Sequence, residues 1–254
     1  MMGTPAVVYN NILQRRLNVI ARSQIDHNPP LFIYQNLTEA LVDVMKSRIK
    51  NHHQNVLQIV GGTGSGKSTL GYQIAKLMDP FCTLEDIYIY DNNDLAEKLS
   101  KDPRDVSPIN FLDEGSVILN SNRHATKEAT DITVIFDTMR SRGMTTILCA
   151  PKLRSINNRI REDHIDFLLI TGERSPLYGY AKRGFYKLFI RTQPSSFSDS
   201  IFWKPVGWGI FKPLSPRMDK EYQEYKRMAQ ERLLKDFYKN YGKEEEVEVY
   251  DGDY

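Results

Sequence analysis

Residues 55–69 read NVLQIVGGTGSGKST. Asn55–Val60 is a short apolar, β-prone run. Gly61–Ser68 fits the spacing G-x-x-x-x-G-K-[ST], and the residues that follow, TLGYQIAKLMD, carry helical periodicity. Strand, glycine loop and helix in that order predict a cradle for phosphate groups. Glycines let the backbone curl so that successive N–H groups face an anion, and the helix N-terminus adds the positive end of its dipole. Gly61, Gly62, Thr63, Gly64, Ser65, Gly66, Lys67, Ser68 and Thr69 are the expected ATP-binding residues. Lys67 is expected to reach the β- and γ-phosphates, and the Ser68 hydroxyl to hold Mg²⁺.

A second carboxylate-bearing stretch completes the chemistry. Ile109–Glu114 reads INFLDE, an apolar strand ending on Asp113 and followed by Glu114. The strand-end Asp113 is expected to share Mg²⁺ with Ser68. Glu114 is placed to orient a water and accept its proton. An adjacent water-activating carboxylate favours hydrolysis over transfer to a small acceptor, because a kinase must keep water out.

Composition bounds the rest. The chain has 254 residues, 41% hydrophobic, which suits one large α/β domain with an arm and a tail. No apolar run approaches the ~20 residues of a membrane-spanning helix, and the N-terminal segment lacks the order of a signal peptide. The only cysteines are Cys82 and Cys149, so neither a disulfide framework nor a cysteine metal cluster is expected, and a reducing cytoplasm is the simplest compartment. The net charge of +2 hides an asymmetry. From Lys243 onward one lysine faces Glu244, Glu245, Glu246, Glu248, Asp251 and Asp253, leaving the remaining body at +7. A body this basic is compatible with nucleic acid. No His cluster has metal-ligand spacing.

Along the chain, residues 1–30 read as an N-terminal arm ending at Asn28-Pro29-Pro30. Leu31–Tyr34 is a candidate strand, and a helix opens at Leu37-Thr38 with Thr38 as its N-cap. After the loop helix, Asp86–Asp91 is read as a strand and Asn93–Asp102 as a short polar helix. A long helix is expected over Thr126–Arg142 with Gly143 as its C-cap. Thr145–Pro151 is a strand, LRSINNRIREDH one helix, and Asp166–Thr171 a strand. This alternation predicts a parallel sheet with helices on both faces and a ligand at the strands' carboxyl ends. Residues 172–214 turn aromatic and basic and read as antiparallel strands. A last helix spans about 215–241, and residues 242–254 form an acidic, disordered tail.

The stretch DEGSVILNSNRHATKEATDITVIFDTMRSRGMTTILCAPKLRSINNRIRE resembles the core of the HerA/FtsK superfamily, among it archaeal and viral zonular-occludens-toxin-like and genome-packaging ATPases. The resemblance covers about Gln58–Thr171. It rests on Asp113-Glu114, Asn122-Arg123, Arg140, Pro151-Lys152-Leu153 with Ile156, and Ile160-Arg161. It implies a three-layer α/β/α P-loop NTPase of the additional-strand catalytic-Glu type, with a mainly parallel sheet extended here by the C-terminal antiparallel strands and final helix. It also implies Mg-dependent ATP hydrolysis by a homo-oligomeric ring, often a hexamer, that moves DNA. In such rings an arginine from the neighbouring subunit completes the site, and Arg140 and Arg161 match that pattern best. The family's polar sensor sits near the end of the strand after the Asp-Glu pair, where this chain offers Thr145, Thr146 and Cys149.

For DNA, Tyr178, Tyr180, Lys182, Arg183, Phe185, Tyr186, Lys187 and Arg191 interleave aromatic and basic residues, the material of stacking and phosphate contact. The same pattern also suits a sheet extension with aromatics inward and bases in solvent. Two other readings stay open at this level: a monomeric nucleotide or nucleoside kinase, and an ATP-binding assembly protein of low turnover.

Overall fold

The structure is a computed structural model, and it describes residues 33–34, 37–113, 119, 134–139, 142–172, 184–192 and 202–241. Strand β2 (Asn55–Val60) is buried at every position, as a strand must be when it has neighbours on both edges and helices on both faces. It pairs in parallel with β4 (Thr145–Ala150) on one side and with β5 (Phe167–Thr171) on the other. β3 (Ile109–Leu112) lies in parallel outside β4. Beyond β5 the direction reverses. β6 (Phe185–Thr192) and β7 (Phe202–Ile210) are antiparallel to their predecessors, and the short β1 (Ile33–Tyr34) closes the edge parallel to β7. The seven-stranded order is β1-β7-β6-β5-β2-β4-β3. One strand, β4, thus separates the phosphate-loop strand from the strand that ends at Asp113. The sheet is mainly parallel, with an antiparallel extension beyond β5.

Strand alternation sorts the side chains onto two faces. Phe111, Ile147 and Cys149 meet helix α2 (Lys67–Met78), which packs beside helix α1 (Leu37–Lys50). On the opposite face Val56, Leu112, Leu148 and Ala150 join one apolar cluster. Its other members include Leu95 and Leu99 of helix α4 (Asn92–Ser100), Phe136 and Met139 of the helical residues 134–139 (α5), and Ile156, Ile160 and Ile165. Each such side chain, fully buried, contributes on the order of 1.5–3 kcal/mol. Residues 214–241 belong to a separate compact unit, whose described element is helix α6 (Pro216–Tyr241).

Three expectations are corrected. Asp86–Asp91 is not a strand: Thr83 and Asp86 form a reciprocal capping box that starts the short helix α3 (Leu84–Ile87), leaving only an isolated bridge from Tyr88 to Phe111. LRSINNRIREDH is not one helix. It divides into a 3-10 turn (Leu153–Ser155) and a π turn (Ile160–His164), because Ile156 is drawn fully into the core and the Asn157 side chain accepts from Arg159 N at 2.9 Å. Thr38 is not an N-cap. The helix already includes Leu37, and the Thr38 hydroxyl pairs with the buried Tyr186 hydroxyl at 2.8 Å. The arm 1–30, the tail 242–254 and most of the predicted helix 126–142 lie outside the described residues.

Two polar anchors hold the helices. At the amino edge, Arg48 of α1 donates to Asp166 Oδ1 at 2.6 Å, to Asn55 Oδ1 at 2.9 Å and to Gln54 O at 3.0 Å. Asp166 Oδ2 accepts from Val56 N at 3.0 Å. Burial raises the Asp166 carboxyl above its usual range, and the Arg48 guanidinium opposes that. In α4, the buried Lys98 ammonium donates to Asp86 O at 2.8 Å and Ile109 O at 2.5 Å. Burial lowers its pKa to about 8, against the pull of the Asp86 carboxylate.

Removing Arg48 strands the Asp166 carboxylate. Arg48→Ala should therefore lower the unfolding free energy by about 2 kcal/mol, measured by urea denaturation. For Lys98, the unfolded chain holds its proton up to about pH 10.4 while the folded chain releases it near pH 8. The unfolded state then binds more protons, so stability gains with rising pH in that window. Wild-type stability relative to Lys98→Met should rise between pH 8 and 10. A flat difference in thermal midpoints over that range would refute this.

Candidate nucleotide site

β2 ends at Val60, and the chain leaves the carboxyl edge of the sheet through Gly61. No side chain fits at Gly61: an added Cβ would lie 2.4 Å from Thr171 Oγ1 and 2.6 Å from Ser65 Oγ. Gly62, Thr63 and Gly64 are exposed, Gly66, Lys67 and Ser68 half-buried, and Ser65 and Thr69 buried. Gly66 is the N-cap of α2 with φ 93°, and no side chain caps the helix. The first turn holds no acidic residue. A positive helix end, without a competing carboxylate of its own, therefore stands beside an exposed glycine loop. Lys67 Nζ lies along the outside of that loop and donates to Gly62 O at 3.1 Å.

One contact sets the register of α2 on the sheet. A Cβ at Gly71 would meet Phe111 Cε2 at 2.7 Å and Cys149 Sγ at 3.3 Å. Ser68 precedes Gly71 by three residues, on the same helix face and about 4.5 Å nearer the helix N-terminus. Asp113 follows Phe111 by two residues, on the same strand alternation and about 6.6 Å nearer the carboxyl edge. Because α2 runs back from that edge, both displacements point toward it, and the two positions stay alongside each other. Asp113 is 4% exposed. An alcohol and a buried carboxylate are hard oxygen donors, which fits Mg²⁺, a cation that takes few protein ligands and fills its octahedron with water and phosphate. Ser68 and Asp113 would hold it there, and it would neutralise developing charge on the phosphate oxygens. Among the described residues no group of three or more His, Cys, Asp or Glu side chains is gathered as a metal site.

The remaining candidates are placed less centrally. Glu114 and Arg140 lie outside the described residues, as do Asn122 and Arg123. Arg161 sits in the π turn, pairing with Asn158 Oδ1 and, at 3.5 Å, with Glu162 Oε1. One turn later His164 Nδ1 meets Gln54 Nε2 at 3.2 Å. Gln54 immediately precedes β2, so His164 lies beside the amino end of that strand. Of the sensor candidates, Thr145 and Thr146 stand at the amino end of β4. Cys149 is fully buried under α2, one residue from the carboxyl end. Tyr178, Tyr180, Lys182 and Arg183 lie outside the described residues. Phe185 and Tyr186 are buried and face the interior, which removes them as base-stacking residues. Lys187 lies over Phe189 and Trp208 at 5.1 and 5.8 Å from the ring centroids, and Arg191 is half-buried.

Sequence reading missed Thr171 and Gly172. Thr171 Oγ1 contacts Ser65 Oγ at 2.8 Å and donates to Val60 O at 3.1 Å. An added Cβ at Gly172 would press on Ser65 Cβ at 2.8 Å. Their only local signal was a polar Thr-Gly step ending an otherwise apolar strand.

No protein-family model matches the chain, and no curated protein matches it in sequence. Among solved structures it is similar to the genome packaging NTPase B204 of Sulfolobus turreted icosahedral virus 2 in complex with ATP-gammaS. There the identity is 16% and the TM-score 0.36, over 60% of this chain and 98% of that one. It is also similar to B204, the DNA-packaging ATPase of Sulfolobus turreted icosahedral virus, at 14% identity and TM-score 0.39 over 63% and 98%. No helix among the described residues is long and apolar enough to cross a membrane.

Gly61→Ala places a methyl group inside contact distance of Thr171 and Ser65. It should weaken binding of a fluorescent ATP analogue at least tenfold, with the far-ultraviolet circular dichroism spectrum retained. Unchanged affinity would show that the loop can relax around the extra carbon.

Proposed function

We propose that the chain is a Mg-dependent ATPase whose turnover drives movement of DNA as an oligomeric ring. The observation that carries this reading is the convergence of an uncapped, acid-free helix N-terminus and exposed glycine loop with a buried strand-end Asp113, on one face and one edge of the sheet. The phosphates sit in the loop, with Lys67 turning from Gly62 O to the β- and γ-phosphates. Ser68 and Asp113 hold the magnesium ion, and Glu114 orients the attacking water and takes its proton. Electrostatic stabilisation of this kind is the main lever in phosphoryl transfer to water.

The ring rests on the resemblance, in which an arginine of the neighbouring subunit completes the site, and Arg140 and Arg161 match that pattern. The resemblance of the stretch from Asp113 to Arg161 to ring-forming DNA motors supports DNA as the moved polymer. The surviving contact candidates are Lys187 and Arg191 on the antiparallel extension, with Tyr178–Arg183 beside them in sequence.

ATP hydrolysis measured with and without DNA, together with solution mass, tests this directly. Lys67→Ala should abolish nucleotide binding. Glu114→Gln should keep binding while turnover falls at least a hundredfold. Mixing Glu114→Gln with Arg161→Ala subunits should restore part of the activity, because mixed interfaces then contain one intact site. Phosphorylation of a small acceptor with no response to DNA would sink the motor reading in favour of a kinase.

A further inference from the structure

We propose that Thr171 is a positioning residue that latches the phosphate loop in its nucleotide-ready shape through Ser65, an inference that rests on nucleotide binding by that loop. Thr171 is 2% exposed and Ser65 8%, so neither hydroxyl exchanges freely with water. Thr171 has one hydroxyl proton and donates it to Val60 O at 3.1 Å. The Ser65 hydroxyl must then be the donor in the 2.8 Å contact with Thr171 Oγ1. The relay runs one way: Ser65 to Thr171 to the last carbonyl of β2.

This direction has a consequence for the loop. Ser65 spends its proton inward and is not a phosphate donor; its role is to pull the middle of the loop down onto the end of β5. The loop is otherwise tied only loosely. Ser65 N reaches Gly62 O at 3.2 Å, and the residues between are exposed. Gly61 and Gly172 close the same spot from both sides, since a Cβ on either would overlap Ser65. Three residues at the ends of two parallel strands, Gly61, Thr171 and Gly172, thus surround one serine, and the pairing of β2 with β5 sets the spacing of those ends. A loop held open before the ligand arrives loses less conformational freedom on binding. The latch therefore acts on affinity rather than on the chemical step.

The test compares Thr171→Val, Thr171→Ser, Ser65→Ala and the Ser65→Ala/Thr171→Val double variant, with Arg48→Ala as a remotely destabilised control. ATP affinity is read by titration and turnover at saturating ATP. Thr171→Val should raise the Kd for ATP roughly fivefold to tenfold, with KM raised in parallel and kcat within about twofold. Thr171→Ser should restore wild-type affinity. Ser65→Ala should match Thr171→Val, and the double variant should add nothing further, as expected of one shared bond. Arg48→Ala should leave the Kd unchanged. Wild-type affinity in Thr171→Val, failure of Thr171→Ser to rescue, or an equal loss in Arg48→Ala would each overturn the latch alone. Absence of ATP binding by the wild-type protein would overturn the nucleotide reading itself.

Discussion

The site depends on β2 being held along both edges by parallel partners. With β4 on one side and β5 on the other, all six of its residues are buried and its end is fixed relative to two other strand ends. A glycine loop is by nature entropically expensive to order. Here it departs from the most constrained strand of the sheet and is immediately met by Thr171, so little of its freedom survives at Gly61 and Ser65. The exposed part, Gly62–Gly64, is what remains to wrap a ligand.

The helix that follows is positioned by an absence of bulk. Gly71 lets α2 approach Phe111 and Cys149 more closely than any side chain would permit. That contact converts the strand register into a register of Ser68 against Asp113. Core packing and the relative placement of Ser68 and Asp113 are therefore the same constraint seen at two distances from one contact. The opposite face has no such closeness. It is filled by Phe136, Met139, Leu95 and the isoleucines at 156, 160 and 165, large side chains that keep the helical turns at ordinary distance. The two anchors are Arg48 at the amino edge and Lys98 in α4, whose partners Asp166, Asn55, Gln54, Asp86 and Ile109 all lie outside the loop.

The segments misread from sequence share a physical cause. In DIYIYD the β-prone Ile-Tyr-Ile run was outweighed by a two-residue capping box, Thr83 with Asp86, whose hydrogen bonds start a helical turn immediately upstream. In LRSINNRIREDH the helical periodicity was real, and Ile156 and Ile160 do enter one cluster. The helix is interrupted because Asn157 N bonds to Leu119 O, far away in the chain, and the Asn157 side chain accepts from Arg159 N. For Tyr186 the interleaved aromatics and bases left both a stacking surface and an inward-facing ring open. Alternation along β6 turned it inward, under α1 and onto Thr38.

The strand–loop–helix identity of residues 55–78, the strand ending at Asp113 and the alternation that makes a parallel sheet were determined by sequence alone. They are local matters: glycine freedom, apolar runs and the absence of acids beside the loop act over a few residues. The order of strands, with β4 between β2 and β3, was implied by the resemblance, and the pairing that realises it is made only by tertiary structure. The closeness of α2 at Gly71 and the grip of Thr171 on Ser65 were likewise decided only there. Each depends on residues far apart in the chain, 106 positions in the last case. No local rule of spacing or propensity can carry such pairings, because they exist only once the sheet has brought its strand ends together.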